Sequence, residues 1–161
     1  MIQKVSGDIT KSKAQAIAHG VAPNDDFHQG LALALREHAP SLYKDFRHYW
    51  QVQHPKPGEL WVWMGADGQR IVNLYTQAPA EGHGKPGRAS VGNVRHALKA
   101  LRKFIDEEGI ASIALPKLAT GVGGLEWAEV EPLIVEQLGD LKIPVIVYET
   151  FHPGEAAAEK L

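Results

Sequence analysis

The sequence predicts an α/β protein, a three-layer α/β/α sandwich around a largely parallel central sheet. Segments of strand character alternate with segments of helical periodicity along the chain. Several strand segments are continuous apolar runs, the pattern of strands covered on both faces. The helical segments carry single apolar stripes, as helices laid on a sheet do.

Residues 2–5, 16–21, 59–64, 70–75, 112–118 and 144–149 read as strands. Residues 31–39 and 41–49 read as two helices divided by Pro40, whose fixed φ and missing N–H suit a first helical turn. Residues 90–108 form the clearest helix, because Val91, Val94, Leu98, Leu101 and Ile105 recur at three- and four-residue steps and Gly109 ends them. Residues 129–138 repeat the pattern through Val130, Leu133, Ile134 and Leu138, with Pro132 expected in the first turn and Gly139 at the end. Tyr43, Phe46, Tyr49, Trp50, Trp61 and Trp63 are expected to pack the first helices on a sheet edge, since no basic run interleaves them to make a base-stacking platform. Residues 79–92 are rich in Gly and Pro and read as a mobile surface loop or lid. Residues 152–161 read as a frayed, flexible tail.

The 161 residues fit one domain, assigned to residues 1–151. A net charge of −2 with interspersed signs leaves no broad electrostatic footprint for nucleic acid. The lack of cysteine excludes disulfides, thiolate nucleophiles and cysteine-ligated metals. With no signal pattern and no apolar run of membrane-spanning length, a soluble cytoplasmic protein without a membrane partner is expected.

The chemistry concentrates after the fifth strand, where Gly121, Gly123 and Gly124 precede a helix. Glycines let backbone N–H groups turn toward one concavity, and a helix start adds its positive end, so the segment is either an anion cradle or only a tight turn. It carries neither the Gly-Lys-Ser/Thr ending of a Walker A loop nor a G-x-G-x-x-G dinucleotide fingerprint. In open α/β sheets ligands bind beyond the carboxyl ends of strands, and the loops after the first, second and fourth strands converge there too. Asp8, after the first, either caps a short turn or accepts a hydrogen bond from a ligand amino group.

The pieces Gly7-Asp8-Ile9-Thr10, IAHGVAPNDDFHQGLALAL from residue 17, IVNLYTQ from residue 71 and ALPKLATGVGGLEWAEVEPLI from residue 114 resemble, in order and spacing, the macrodomain family. The likeness is greatest to the branch of terminal ADP-ribose glycohydrolase and the antitoxin macrodomains that remove ADP-ribose from DNA. This resemblance implies a mixed, mostly parallel sheet of roughly six strands and an ADP-ribose site. Asp8 would bind the adenine amino group, with Ile9 beside it. Ala119, Thr120, Gly121, Val122, Gly123 and Gly124 would wrap the diphosphate, with Gly30 and Leu31 closing its other side. Phe151 would offer its ring to adenine. Thr76 and Gln77, ending the fourth strand, would lie at the ribose. The expected partner is ADP-ribose or an ADP-ribosylated substrate, nucleic acid only where it carries ADP-ribose, with no cofactor and no metal.

The departures bear on mechanism. Gln77 stands where the similar glycohydrolases place a lysine, and Gly123 where they place an aspartate; glutamine cannot act as that amine nucleophile. Ala22 stands where many macrodomains hold the distal ribose with asparagine, leaving Asn24 to take over only if the loop is rearranged. The loop before Gly30 gathers Asp25, Asp26 and His28. Either these rebuild an active site, with His28 as general acid or base and an aspartate orienting it or activating water, or they form a solvated, helix-capping turn. His83 is a weaker ligand-contact candidate, and a metal held by His19, His28 and Asp26 is conceivable but not expected. The expected function is hydrolysis of an ADP-ribose derivative: an ADP-ribosylated macromolecule, an O-acyl ester or ADP-ribose 1''-phosphate. The alternatives are a non-catalytic ADP-ribose-binding module and a pocket shifted to another nucleotide.

Overall fold

The computed structural model describes residues 1–81 and 87–161. Its elements are β1 (Ile2–Gly7), a single 3-10 turn at Ile9–Lys11, β2 (Ala16–Val21), α1 (Gly30–His38), α2 (Pro40–Gln53), β3 (Leu60–Met64), β4 (Arg70–Tyr75), α3 (Val91–Glu108), β5 (Ile113–Pro116), α4 (Trp127–Leu138) and β6 (Val145–Phe151). The strands form one sheet in the order β1-β6-β5-β2-β4-β3, with every neighbouring pair parallel except β3 and β4. The expected three layers and mixed, mostly parallel sheet are what the chain forms.

Successive strand side chains point to opposite faces, and β2 shows why its sequence is apolar throughout. Ala16 and Ala18 join the core under α3 and α4, while Ile17 and Val21 join the core under α1 and α2. The stripe on α3 is buried as the periodicity requires, with Val94, Leu98 and Leu101 wholly covered. Each such side chain contributes about 1.5–3 kcal/mol by leaving water. On the other face the aromatic group packs as expected, with Tyr49 stacked on Trp61 at 5.2 Å and Phe46 beside Trp61 at 6.1 Å.

Three local expectations change. α4 begins at Trp127, because Glu126 and Glu129 form a reciprocal capping box, and this moves Pro132 out of the first turn into the second. α2 runs on past residue 49 to Gln53 and ends at His54, which takes the left-handed conformation (φ 47°) just before Pro55. The tail expected to fray is bonded instead: Asp8 donates its N–H to Glu155 O (2.7 Å), and Ser12 Oγ and Tyr148 Oη donate to Glu159 Oε2 (2.5 and 2.7 Å). Composition misled here because a carboxylate with three donors waiting for it does not look different, in sequence, from one facing water. Of the predicted loop, residues 82–86, including His83, lie outside the described residues. Its flanks are held where Gln77 bridges Ala89 and Ala78 donates to Arg88 O (3.0 Å).

Candidate functional site

The carboxyl ends of β1, β2, β4 and β5 open onto one groove with two chambers. The first, about 360 Å³, is almost wholly apolar and is lined by Ile9, Gly30, Leu31, Ala34, Pro116, Tyr148 and Phe151. The second, about 210 Å³, shares Gly30, Leu31 and Pro116 with the first and adds His19, Asp25, Asp26, Gln77, Lys117 and the glycine loop. A larger hollow of about 730 Å³ lies around Lys11, Lys13, Asp67 and Arg70. It sits where the chain enters β2 and β4, at the end of the sheet where such folds do not place ligands.

The glycine loop is built to present donors. Within residues 119–125 only Gly124 and Leu125 give their N–H groups to backbone acceptors, Gly121 O and Ala119 O. The N–H groups of Ala119, Thr120, Gly121, Val122 and Gly123 have no acceptor among the described residues. Ala119 takes a positive φ of 63° and Gly124 one of 80°, so the backbone doubles back on itself and makes a nest of these donors. Thr120 Oγ1 is turned away to Lys117 O (2.8 Å). The start of α1 faces the loop across the second chamber, with Gln29 supplying no side-chain cap, so its first N–H groups are also unclaimed.

Gly121 and Gly123 differ in kind. A Cβ on Gly121 would meet nothing within 4 Å. One on Gly123 would fall 2.7 Å from Ala119 O and 2.9 Å from Ala89 Cβ, because Ala89 is bound to Gly123 O (3.0 Å) and backs the loop. A side chain at Gly123 thus has no room while Ala119 and Ala89 keep their places: this glycine is a packing requirement.

Asp8 is 8% exposed and already engaged. Its Oδ1 accepts from Thr10 N–H (3.0 Å) and Thr10 Oγ1 (2.6 Å), and its Oδ2 accepts from Gly154 N–H (2.9 Å). Burial raises its pKa, but these bonds and nearby Lys11 outweigh it, and the net shift is downward. Both readings of Asp8 coexist: it caps the 3-10 turn, and Oδ2 retains a lone pair. Ile9 lines the apolar chamber, with its N–H unclaimed among the described residues. Phe151, 53% exposed, stands at that chamber's rim.

The acidic loop is only partly the predicted cluster. Asp25 Oδ1 accepts from Phe27 N–H (2.7 Å) and Asp26 Oδ1 from His28 N–H (3.2 Å), so both make local turns, and both line the second chamber. Burial raises the pKa of Asp25 and Asp26 adds to the rise, while the Phe27 bond opposes it. His28 is exposed and lines neither chamber, so the proposed trio is not brought together. The cause is Phe27, which takes a left-handed φ of 54° to drive its ring into the core against Phe46 (4.6 Å), Tyr43 and His19, turning His28 outward. Asn24 is likewise spent: its side chain exchanges two hydrogen bonds with Ala80 (3.1 and 2.8 Å) and does not line the groove. Among the described residues no cluster of three metal-binding side chains forms from His19, His28 and Asp26. Thr76 is fully buried behind Gly20, where a Cβ would sit 2.6 Å from its Oγ1. Gln77 lines the second chamber and donates Nε2 to Gly87 O (3.0 Å), leaving Oε1 as an acceptor.

Sequence reasoning considered His19, a polar residue in the middle of an apolar strand, only as an unexpected metal ligand and not as part of the groove. It is 2% exposed and meets Asn73 Oδ1 through Nε2 at 2.7 Å. Asn73 gives its amide hydrogens to Trp61 O and Ile71 O (3.2 and 3.4 Å), which fixes Oδ1 as acceptor and makes Nε2 the protonated nitrogen. Burial pulls the imidazole pKa from 6.5 to about 4 against the raising effect of the Asn73 bond, so the ring is neutral near pH 7.

A family model described as Macro domain matches residues 18–134. The DNA ADP-ribosyl glycohydrolase of Thermus aquaticus is 30% identical over 154 residues, covering 92% of this chain and 41% of that protein. A DNA ADP-ribosyl transferase-DNA ADP-ribosyl glycohydrolase fusion protein of Thermosipho africanus is 28% identical over 158 residues, covering 89% of this chain and 40% of the fusion. The chain thus spans about two-fifths of the length of both relatives. Among solved structures, the macrodomain of Thermus aquaticus DarG superposes with a TM-score of 0.82 at 29% identity, over 92% of this chain and 98% of that one.

Proposed function

This chain belongs to the Macro domain family, and from that premise we propose that it binds ADP-ribose and hydrolyses ADP-ribose from a macromolecule, nucleic acid being the first candidate. The observation that carries the reading is the division of labour in the groove: an apolar chamber for a base, a nest of free N–H donors for a diphosphate, and beyond it a wall of acceptors for a sugar. The similarity to DNA ADP-ribosyl glycohydrolases supports the choice of substrate.

In this reading adenine lies between Leu31 and Phe151 with its amino group toward Asp8 Oδ2. The diphosphate sits on residues 119–123 opposite the start of α1. The distal ribose then reaches Asp25 and Asp26. Asp25 takes a proton from a water that attacks the anomeric carbon as the bond to the macromolecule breaks, and the departing group recovers a proton from solvent at the open mouth. Gln77 and Gly123 supply neither an amine nor a carboxylate, which favours a second reading, a binding module without turnover.

The deciding experiment measures ADP-ribose binding by calorimetry and release of ADP-ribose from modified DNA and modified protein. Hydrolysis predicts turnover that Asp25→Asn lowers at least a hundredfold with little change in affinity. Binding without turnover on every substrate establishes the module instead.

A further inference from the structure

We infer that His19 reads the sugar end of the ligand: its unprotonated Nδ1 accepts a hydroxyl hydrogen in the second chamber, setting preference for a ribose over a bare terminal phosphate. The inference rests on the ADP-ribose reading of the groove. Three observations carry it. His19 is part of the chamber wall. Its tautomer is fixed through Asn73, which has no freedom to turn because both amide hydrogens are committed across β4 and β3. The fully buried side-chain atoms without a partner, among the described residues, are Tyr75 Oη, Thr76 Oγ1 and Glu131 Oε2. His19 Nδ1 makes no hydrogen bond among the described residues either, and with Nε2 committed to Asn73 it is the ring's free acceptor.

The neighbours make this lone pair selective. Gln77, Asp25 and Asp26 line the same chamber and each keeps an unbonded side-chain oxygen among the described residues, so this end offers acceptors where the glycine loop offers donors. A ribose brings hydroxyl donors to such a wall. A terminal phosphate brings only more negative oxygen, and is repelled by both carboxylates. Phe27, edge-on to the ring at 5.7 Å, holds the imidazole in place.

The test compares ADP-ribose with ADP, which keeps the base and diphosphate and lacks the second sugar. His19→Phe keeps a flat ring and removes the acceptor. Calorimetry should show a loss of about tenfold or more for ADP-ribose and less than about twofold for ADP, since a buried unmet donor costs on the order of a factor of ten. In parallel, ¹⁵N spectra of the unaltered protein should show the Nδ1 resonance moving with ADP-ribose and staying fixed with ADP. That measurement decides alone if His19→Phe does not fold. Equal losses for both ligands, or an Nδ1 resonance indifferent to ADP-ribose, overturn the inference while leaving the binding reading standing. Failure of the unaltered protein to bind ADP-ribose brings down the binding reading, and this inference with it.

Discussion

Acid should destabilise this fold through one ring. His19 titrates near 6.5 when the chain is unfolded and at about 4 when it is folded. Between those values the unfolded chain holds more protons, so stability rises with pH across the window and is lost as pH falls from 6.5 toward 4. The shift from 6.5 to about 4, at 1.36 kcal/mol per pKa unit, sets a ceiling of about 3 kcal/mol, most of which is already gone at pH 4.5. That is a large share of the 5–15 kcal/mol typical of a domain. Other groups titrate nearby: Asp25, raised mainly by burial, opposes the trend, and Asp8, lowered by its hydrogen bonds, adds to it at lower pH. A comparison with His19→Gln isolates the imidazole, since glutamine retains an N–H donor for Asn73 and cannot take a proton. Urea unfolding at steps from pH 7.5 to 4.5 should show the difference between the two proteins narrowing by about 2 kcal/mol as pH falls. Parallel curves would mean that His19 is not held neutral, and the fixed tautomer would fall with it.

The two loop glycines should separate binding from folding. Gly121→Glu, entering open space, should leave the unfolding midpoint within about 0.5 kcal/mol of the parent and abolish calorimetric ADP-ribose binding by placing a carboxylate at the nest. Gly123→Ala, pressed against Ala119 and Ala89, should instead cost about 1–3 kcal/mol in denaturant unfolding. Glu159→Ala strips the acceptor from Ser12, Lys13 and Tyr148 and should lower stability by about 1.5–3 kcal/mol, with faster proteolysis after residue 151 as the companion readout. An unchanged midpoint would show that the tail's bonds are solvent-compensated.

Much of this architecture is legible in the sequence because it is dictated locally. A two-sided apolar strand, a 3.6-residue stripe and a terminating glycine at Gly109 each declare themselves within a few residues. The glycine loop is legible for the same reason. What escaped is set by partners far along the chain: His19 and Asn73 are 54 residues apart, and Asp8 meets Gly154 across 146. Phe27 was hidden differently. Nothing in Asp-Asp-Phe-His says that the aromatic side chain, and not the imidazole, turns inward, since that choice depends on the space left by Phe46 and Tyr43.

Gly123 gives these long-range effects a consequence for chemistry. The family resemblance implies an aspartate in this loop, where this chain has Gly123. Yet the position cannot hold any side chain while Ala89 stays bonded behind it, so restoring the aspartate would require the segment around residues 87–89 to withdraw. A carboxylate at this position and the closed-up loop are thus mutually exclusive. The loop's N–H donors are tightly backed by Ala89, which suits the proposed diphosphate site, and the loop carries no carboxylate to serve as a base. Under the proposed hydrolysis, proton transfer at the distal ribose falls to the opposite wall, where Asp25 is buried enough to have its pKa raised. The groove separates holding from reacting: Gly121→Glu should remove both, whereas Asp25→Asn should remove only the second.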